Sequence, residues 1–230
     1  MADSQPARQK SRTRREPGEA QLNRNSPQAA NRRINRKTEG VQGAILDAAA
    51  KIFAEKGYQR TKLSDISDGL DMHVTALRYH FPTKEMLAEE IVNRVARTNL
   101  ERLQEALATL GPDASVRDKL SAAITAYMRV TASSIVYIAA HGNIVNQLPD
   151  EARAAHYQLL RDFLAIWRSL VGEAAERGEL APGLNPSVAT QVILGAVIWS
   201  REWYQPERTP PDEIAEQIKA TLFGGLLAPR

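Results

Sequence analysis

Apolar residues recur at helical spacing along almost the whole chain after its first forty residues. From Val41 onward the large aliphatic and aromatic side chains fall three or four positions apart, and no segment shows the strict alternation of a β-strand. Gly and Pro separate the periodic runs. The pattern therefore predicts an all-α protein of about nine helices.

The predicted helices divide into a short N-terminal group and a longer C-terminal group. The first three cover residues 41–57, 61–70 and 73–81, and a long fourth helix runs from a Thr83 cap to Gly111. The remaining helices are predicted at 115–140, 143–147, 150–178, 186–204 and 211–227. We expect a three-helix bundle over residues 39–88 and a larger helical domain over residues 89–230.

The first forty residues are basic and carry few large apolar side chains. They contain ten Lys and Arg against four Asp and Glu, a formal charge of +6, whereas the rest of the chain sums to −3. A segment with so few large apolar side chains buries too little apolar surface to offset the entropy lost on ordering. We therefore predict that residues 1–38 form a disordered basic arm. Such arms usually bind nucleic acid or another polyanion. An organellar transit peptide has a similar composition, but it also needs an apolar stripe that this segment lacks.

Composition excludes several classes of protein. The content of 43% hydrophobic and 25% charged residues is that of a soluble globular protein. The chain has no cysteine, which excludes disulfides, thiolate zinc sites and cysteine nucleophiles. The absence of cysteine is compatible with the reducing cytoplasm, where we expect the protein to act. Residues 130–149 and 183–200 carry no formal charge, but each contains Asn, Gln, Ser and Pro. We interpret both as buried helices and expect no membrane partner.

Helices 2 and 3 are joined by a tight turn through Asp71 and Met72. Helix 1 supplies the third face needed to bury the apolar residues of the pair, which are Leu63, Ile66, Leu77 and Phe81. This arrangement predicts a helix-turn-helix, a motif that places its second helix in the major groove of DNA. Any small three-helix bundle has similar periodicity, so the spacing alone leaves both interpretations open.

Residues 52–87 carry two more specific motifs. They read IFAEKGYQRTKLSDISDGLDMHVTALRYHFPTKEML, with F-x-x-x-G-Y at Phe53 to Tyr58 and Y-H-F-x-x-K-x-x-L at Tyr79 to Leu87. In these motifs the segment, about a fifth of the chain, resembles the DNA-binding domain of TetR-family transcriptional regulators. The resemblance implies a two-fold dimer that binds double-stranded DNA in successive major grooves. It also implies a variable C-terminal domain whose small-molecule effector releases the operator.

In such docking the exposed face of helix 3 meets base edges and its flanks meet phosphates. Arg78 is the best candidate for base reading, because a guanidinium binds guanine O6 and N7 together; a phosphate contact is the alternative. The same face is expected to include His73, Val74, Thr75 and Ala76. Phosphate contacts are expected from Thr61, Lys62, Tyr79 and Lys84, although Thr61 also fits a helix cap and Tyr79 a packed aromatic. His80 is expected to be structural.

The turn departs from the usual family sequence G-V-S-x-G. Residues 71–75 read DMHVT, and Asp at the first position tolerates a left-handed turn, but a serine cap and a commonly basic position are lost. Residues 41–88 contain six basic and six acidic residues and are formally neutral. The arm would compensate by tracking phosphates or entering the minor groove with Arg32, Arg33, Arg36 and Lys37. A merely solubilising tail is the alternative.

The C-terminal region lacks catalytic and metal-binding motifs. The four histidines of the chain form no H-E-x-x-H pair, and no G-x-S-x-G sequence occurs, so we predict neither an enzyme nor a cofactor or metal site. Its aromatic residues suit the wall of an effector cavity, although each also fits an ordinary core position. The candidates are Tyr127, Tyr137, Phe163 and Trp167.

The last two predicted helices carry broad apolar stripes. Two such helices from each protomer would form a four-helix interface, and packing inside the protomer is the alternative. The residues predicted to form a homodimer interface are Val188, Val192, Gly195, Trp199, Trp203, Ile214, Ile218 and Leu222.

The C-terminal segment WSREWYQPERTPPDEIAEQIKATLFGGL resembles that of TetR-family members regulating fatty-acid or steroid breakdown. This resemblance implies a hydrophobic or acyl-CoA-like effector. The leading hypothesis is a ligand-responsive repressor. The alternative is a DNA-organising or cell-division protein with the same headpiece and no small-molecule inducer. A cavity in the C-terminal domain would favour the first, and a filled core with a protein-binding face the second.

Overall fold

The computed structural model describes the backbone of residues 27–226 and the side-chain environments of residues 38–225. No β-strand runs through this range, and the all-α prediction is confirmed. The helices are α1 (Pro27–Lys56), α2 (Leu63–Asp68), α3 (Val74–His80), α4 (Lys84–Ala108), α5 (Val116–Ser133), α6 (Ile135–Ile144), α7 (Asp150–Glu176), α8 (Pro186–Trp203) and α9 (Pro211–Leu226). A 3-10 turn, Val145–Gln147, separates α6 from α7.

Helix α1 begins well before its predicted start. Pro27 opens it, and good helix formers such as Ala29 and Ala30 follow. The prediction of disorder is therefore wrong for residues 27–38, because extending an existing helix costs far less than nucleating one. Residues 1–26 of the predicted arm lie outside the described residues. The chain divides into two compact units at Gly43, within α1, and the packing described below belongs to the unit from Ala44 onward.

The N-terminal bundle, called the headpiece here, consists of α1 from Ala44 together with α2 and α3. Its centre is formed by side chains with no exposed surface, which come from all three helices: Ile45, Phe53, Ile66 and Leu77. The ring of Tyr58 packs edge-on against Phe53, with ring centroids 5.6 Å apart. The predicted face of helix 1 is thus the one that covers the helix-turn-helix.

The turn between α2 and α3 depends on Asp71. Asp71 has a φ of +50°, the left-handed conformation expected for it, and the N–H of Met72 bonds to the carbonyl of Ser67. Helix α4 begins at its predicted cap, where the hydroxyl of Thr83 accepts a hydrogen bond from the N–H of Met86. Both observations confirm the predicted local structure.

The helix predicted over residues 115–140 is broken at Ser134. Its two parts, α5 and the segment Ile135–Gln147, meet at 81°. The apolar pattern continues through the break, so periodicity alone does not reveal it. The local cause is a cluster of hydroxyl side chains that compete for backbone partners: Ser133 bonds to the carbonyl of Val130, and Ser134 leaves the helical region at φ −125° and ψ 16°.

Helix α4 packs against α5, α6 and α7, and α8 packs against α7. The C-terminal core is built from buried residues of α4, α5, α7, α8 and α9 and from Tyr204, which follows α8. Its largest side chains include Trp167, Phe163, Tyr127 and Tyr204. Among the described helices none is by itself long and apolar enough to cross a membrane, although the bent pair of α5 with Ile135–Gln147 reaches that length and composition.

Candidate DNA-binding surface and effector cavity

Helix α3 exposes the face predicted to bind DNA. Leu77 is completely buried and fixes the helix on the headpiece, while Arg78 and Tyr79 project outward, with Tyr79 82% exposed. The ring of the half-buried His80 lies edge-on to Tyr79, with centroids 5.3 Å apart. The other predicted members of this face are at the surface or half-buried: His73, Val74, Thr75 and Ala76. Their contacts with DNA remain predictions.

Thr61 does not lie on this surface. Thr61 is only 1% exposed, and its hydroxyl donates a 2.9 Å hydrogen bond to the carbonyl of Gly57. The N-terminal cap of α2 is Lys62, whose N–H donates to the Asp65 carboxylate at 3.0 Å. The predictions of a phosphate contact and of a cap at Thr61 are both wrong, because the hydroxyl is used within the bend after α1. Lys62 is exposed as expected.

Lys84 is also engaged inside the headpiece. Its ammonium donates to the carbonyls of Tyr58 and Thr61 at 3.0 and 3.1 Å and lies 4.3 Å from the centroid of the Tyr58 ring. The hydroxyl of Tyr58 in turn donates to Glu85 at 3.2 Å. Burial, followed by the charge of Glu85, raises the pKa of Tyr58 to about 12. The predicted phosphate ligand is therefore a structural clamp that joins the start of α4 to the end of α1.

Replacing Lys84 should destabilise the protein rather than alter its attraction to DNA. We expect Lys84→Met to lower the free energy of unfolding by about 1 to 3 kcal/mol, because two carbonyls lose a charged donor. Urea denaturation of wild type and variant measures this loss, with Lys51→Met, an exposed lysine of α1, as the matched control. An unchanged stability together with a smaller salt dependence of DNA binding would restore the phosphate role.

The arm residues predicted to assist DNA binding fall within the first part of α1. Arg32, Arg33, Arg36 and Lys37 belong to the helix Pro27–Lys56, and their side-chain positions lie outside the described residues. Their role as phosphate or minor-groove ligands remains a prediction.

A cavity of about 290 Å³ lies among α4, α5, α6, α7 and α8. Most of its wall is apolar and includes Val92, Val95, Ile138, Leu160, Phe163 and Ile198. Polar side chains enter it from each of the five helices: Asn99, Tyr127, His141, His156 and Arg201. An apolar cavity with a few convergent polar groups is the usual form of a small-molecule site.

Two of the four predicted cavity residues line it. Tyr127 and Phe163 do so, whereas Trp167 has no exposed surface and belongs to the core. Tyr137 lies on α6 but faces α1 instead. Helical periodicity places an aromatic residue on a buried face but does not distinguish a filled core from a cavity wall. The prediction that Trp167 and Tyr137 line the cavity is wrong for this reason.

Sequence reasoning did not identify the histidine pair in this cavity. His141 and His156 lie fifteen positions apart on α6 and α7, and their Nε2 atoms are 3.1 Å apart. Burial, followed by the neighbouring His156 and Arg201, lowers the pKa of His141 to about 4. Burial also lowers the pKa of His156. Both rings are therefore neutral at neutral pH, and one donates its N–H to the other.

The burial of His141 makes stability depend on pH in a defined window. Its pKa is about 4 in the folded protein and 6.5 as a free group, so between these values the unfolded chain binds more protons. The free energy of unfolding therefore falls as the pH drops through that window. From pH 7 to pH 5 we expect wild type to lose about 1 to 2 kcal/mol more than His141→Gln. Urea titrations at both values measure this, and an equal loss in wild type and His141→Gln would contradict it.

Helix α6 contacts both the cavity and the headpiece. Ile138 and His141 line the cavity, while the hydroxyl of Tyr137 donates to Asp47 of α1 at 2.6 Å. The guanidinium of Arg94 lies 4.9 Å from the Tyr137 ring centroid. Six residues after Tyr137, the amide of Asn143 donates to the carbonyls of two α1 residues, Phe53 and Ala54, at 3.3 and 3.2 Å. A displacement of α6 by a molecule in the cavity would therefore act directly on α1.

Helix α8 carries an exposed apolar face. Val188, Val192, Trp199 and Trp203 are 60%, 50%, 66% and 49% exposed, and Gly195 lies exposed between them. The predicted α9 stripe behaves differently, because Ile218 and Leu222 are buried in the C-terminal core and Ile214 packs against it. The assignment of Ile218 and Leu222 to a dimer interface is wrong, since they are buried in the protomer's own core, whereas that of the half-buried Ile214 stays a prediction. In the described residues no group of three or more His, Asp or Glu is placed to hold a metal.

Comparison with known proteins places both halves of the chain in one family. Residues 45–91 match the model of bacterial regulatory proteins of the tetR family, and residues 113–226 match the tetracyclin repressor-like C-terminal domain. The HTH-type transcriptional repressor KstR2 of Rhodococcus jostii (strain RHA1) is 25% identical over 192 residues, covering 83% of this chain and 93% of that protein.

Two solved structures extend this similarity. A TetR/AcrR-family regulator from Thermobifida fusca YX-ER1 is 32% identical, with a TM-score of 0.61 over 81% of this chain and 98% of its own. AibR in complex with isovaleryl coenzyme A and operator DNA is 22% identical, with a TM-score of 0.66 over 80% of this chain and 98% of its own. The helix-turn-helix, the helical domain behind it and these matches agree: the chain belongs to the TetR family and is a transcriptional regulator rather than an enzyme.

Proposed function

We propose that this protein is a repressor that binds a palindromic operator as a homodimer in the cytoplasm and is released by a small hydrophobic or acyl-CoA-like effector. The observation that carries the proposal is α6, which lines the cavity through Ile138 and His141 and bonds to α1 through Tyr137 and Asn143. A ligand site and a DNA-binding headpiece are thus in contact through one short helix. Ligand-driven release needs such a physical connection between its two sites.

The cavity favours this function over that of a DNA-organising or cell-division protein without an inducer. A filled C-terminal core would have favoured the second function. The KstR2 relative is named a transcriptional repressor, and AibR binds isovaleryl coenzyme A. At about 290 Å³ the cavity lies near the lower end of the usual range of ligand pockets. A short acyl chain or a small ring system fits this space, whereas the bulk of a coenzyme A group would remain outside it.

DNA recognition is assigned to the exposed face of α3. Arg78 is exposed and bonds to no other described residue, so its guanidinium is available to grip a guanine. Residues 41–88 sum to zero formal charge, and we assign much of the sequence-independent attraction to the basic residues of the preceding arm.

Removing the Arg78 side chain should reduce specificity more than general affinity. With an operator defined by genome-wide mapping of bound sites, we expect Arg78→Ala to weaken specific binding by about 1 to 3 kcal/mol and to leave binding to random DNA nearly unchanged. Fluorescence anisotropy on operator and random duplexes measures both affinities. Lys62→Ala, at an exposed lysine that we assign to phosphate, should weaken both equally. Equal losses for Arg78→Ala would assign this arginine to phosphate as well.

The exposed face of α8 is the proposed dimer interface. Its two tryptophans and two valines form an apolar patch that a soluble monomer would leave in water, and the partner's α8 would cover it across a two-fold axis. The outer side of α9 carries small residues that allow close helix approach, namely Ala220, Thr221 and Gly224. We therefore assign α9 to the interface through these residues.

A charge placed in this patch should separate the protomers. We expect Trp199→Glu to shift the molar mass measured by light scattering from that of a dimer to that of a monomer, because a carboxylate buried in an apolar interface is strongly unfavourable. Val136→Glu places the same charge on another exposed apolar residue and should leave the dimer intact. A monomeric wild type at micromolar concentration would refute the interface.

A further inference from the structure

Three polar side chains of the cavity wall, His141, His156 and Arg201, lie close together and define its polar end. Asn99, His141, His156 and Arg201 come from four different helices, α4, α6, α7 and α8. The two histidines are in hydrogen-bonding contact, and the charge of Arg201 is near enough to lower the pKa of His141. No Asp or Glu lines the cavity, and the carboxylate that pairs with Arg201, that of Glu202, lies outside its wall. The wall therefore offers an anion positive charge and hydrogen-bond donors.

Among the described residues, two that line the cavity each have a buried polar atom without a protein partner. His156 is only 3% exposed, and its Nδ1 has no hydrogen-bond partner in the described part of the chain. The same holds for Oδ1 of Asn99, on the neighbouring helix α4. Buried polar atoms in native proteins are nearly always paired, and each exception calls for an explanation such as a ligand. Two such atoms in residues that line one cavity support a polar binding site there.

The histidine pair contains one donor and one acceptor. In the neutral pair, the Nε2–H of one ring donates a hydrogen bond to the unprotonated Nε2 of the other. The accepting ring therefore carries its own proton on Nδ1. A ligand group that inserts between the rings must replace their hydrogen bond. An anionic oxygen does so best, since it accepts from both nitrogens once the second ring has gained a proton.

We propose that this end of the cavity binds the carboxylate of a compact apolar acid, with His141, His156 and Arg201 as its ligands. The inference rests on the proposed effector site and specifies the chemical class of its occupant. The apolar wall around Phe163 and Leu160 holds the body of the acid. One imidazole takes up a proton from solvent as the carboxylate enters, so the imidazolium and the carboxylate compensate each other.

The groups around the pair are consistent with this proton uptake. From α5, the phenol of Tyr127 faces the cavity, and burial raises its pKa, so it is neutral. From α7, the ring of Tyr157 lies 6.0 Å from that of His156. On α8, Arg201 is also 3.2 Å from Glu202, which is not part of the cavity wall. On α4 the polar lining residue is the uncharged Asn99. The ligand carboxylate would thus be the negative charge closest to the histidines.

Calorimetry on the DNA-free, full-length protein tests the proposal. The probes are octanoate and 4-phenylbutyrate, their primary amides, and octanoyl coenzyme A. We expect at least one acid to bind about 10- to 100-fold more tightly than its amide, because the amide lacks the charge. Titrations in phosphate and in Tris buffer, which differ in ionisation enthalpy, should show uptake of up to about one proton per acid bound.

Two pairs of variants identify the groups involved. Arg201→Gln should remove most of the preference for acid over amide, whereas Arg161→Gln, at an exposed arginine outside the cavity, should keep it. His141→Gln and His156→Gln retain hydrogen-bonding groups but cannot titrate, and each should reduce proton uptake. If the histidine variants fail to fold, the proton uptake of the wild type and the comparison of Arg201→Gln with Arg161→Gln still test the proposal.

Several results would overturn the inference. They are equal affinity for acid and amide, no binding of either acid, binding of an acid without proton uptake, and tighter binding of octanoyl coenzyme A than of octanoate. The proposed function is tested separately by titrating each probe into the protein bound to its mapped operator. A neutral compound or a thioester that releases the operator would refute the carboxylate site and leave the ligand-responsive repressor intact.

Discussion

The clamp at the start of α4 holds the DNA-binding headpiece to the rest of the molecule. The ammonium of Lys84 bonds to two carbonyls of the bend after α1, and Glu85 accepts from Tyr58 in the same bend. From this point α4 continues for 25 residues with one buried side, which includes Leu87, Ile91 and Leu103. Because that side begins next to the headpiece and ends in the C-terminal core, the orientation of α3 depends on how the C-terminal helices pack.

The cavity lies between two helices that contact the headpiece, α4 and α6. Val92, Val95 and Asn99 of α4 form one wall, and α6, which bonds to α1, forms another. A molecule in the cavity therefore touches both elements that position the headpiece. Buried polar groups without protein partners cost stability, so retaining Asn99 and His156 beside an apolar cavity is disadvantageous to folding alone. The proposed binding of a ligand would explain why the chain keeps them.

The sequence predicted the positions of the helices better than the partners of individual side chains. The helical period and the Thr83 cap located α2 to α4, because these features depend on neighbouring residues. The break at Ser134 was not predicted, since the apolar period continues across it. Thr61 and Lys84 are predicted to contact phosphate because each lies at the start of a predicted helix, but their partners are carbonyls that only the folded bend presents. His141 and His156 lie on separate helices, so no spacing rule reveals them.

Helix α8 connects the proposed dimer to the proposed effector site. Ile198 and Arg201 face the cavity, whereas Trp199 and Trp203, on the same turns, face outward. In a dimer the partner fixes the outer face, so α8 cannot move freely when Arg201 binds an anion. The helices displaced by a ligand would then be those that the partner does not contact, chiefly α6. Through the hydrogen bond between Tyr137 and Asp47, a displacement of α6 would also move α1. In the proposed dimer, the effect of ligand binding would thus reach the headpiece through α6 rather than the outer face of α8.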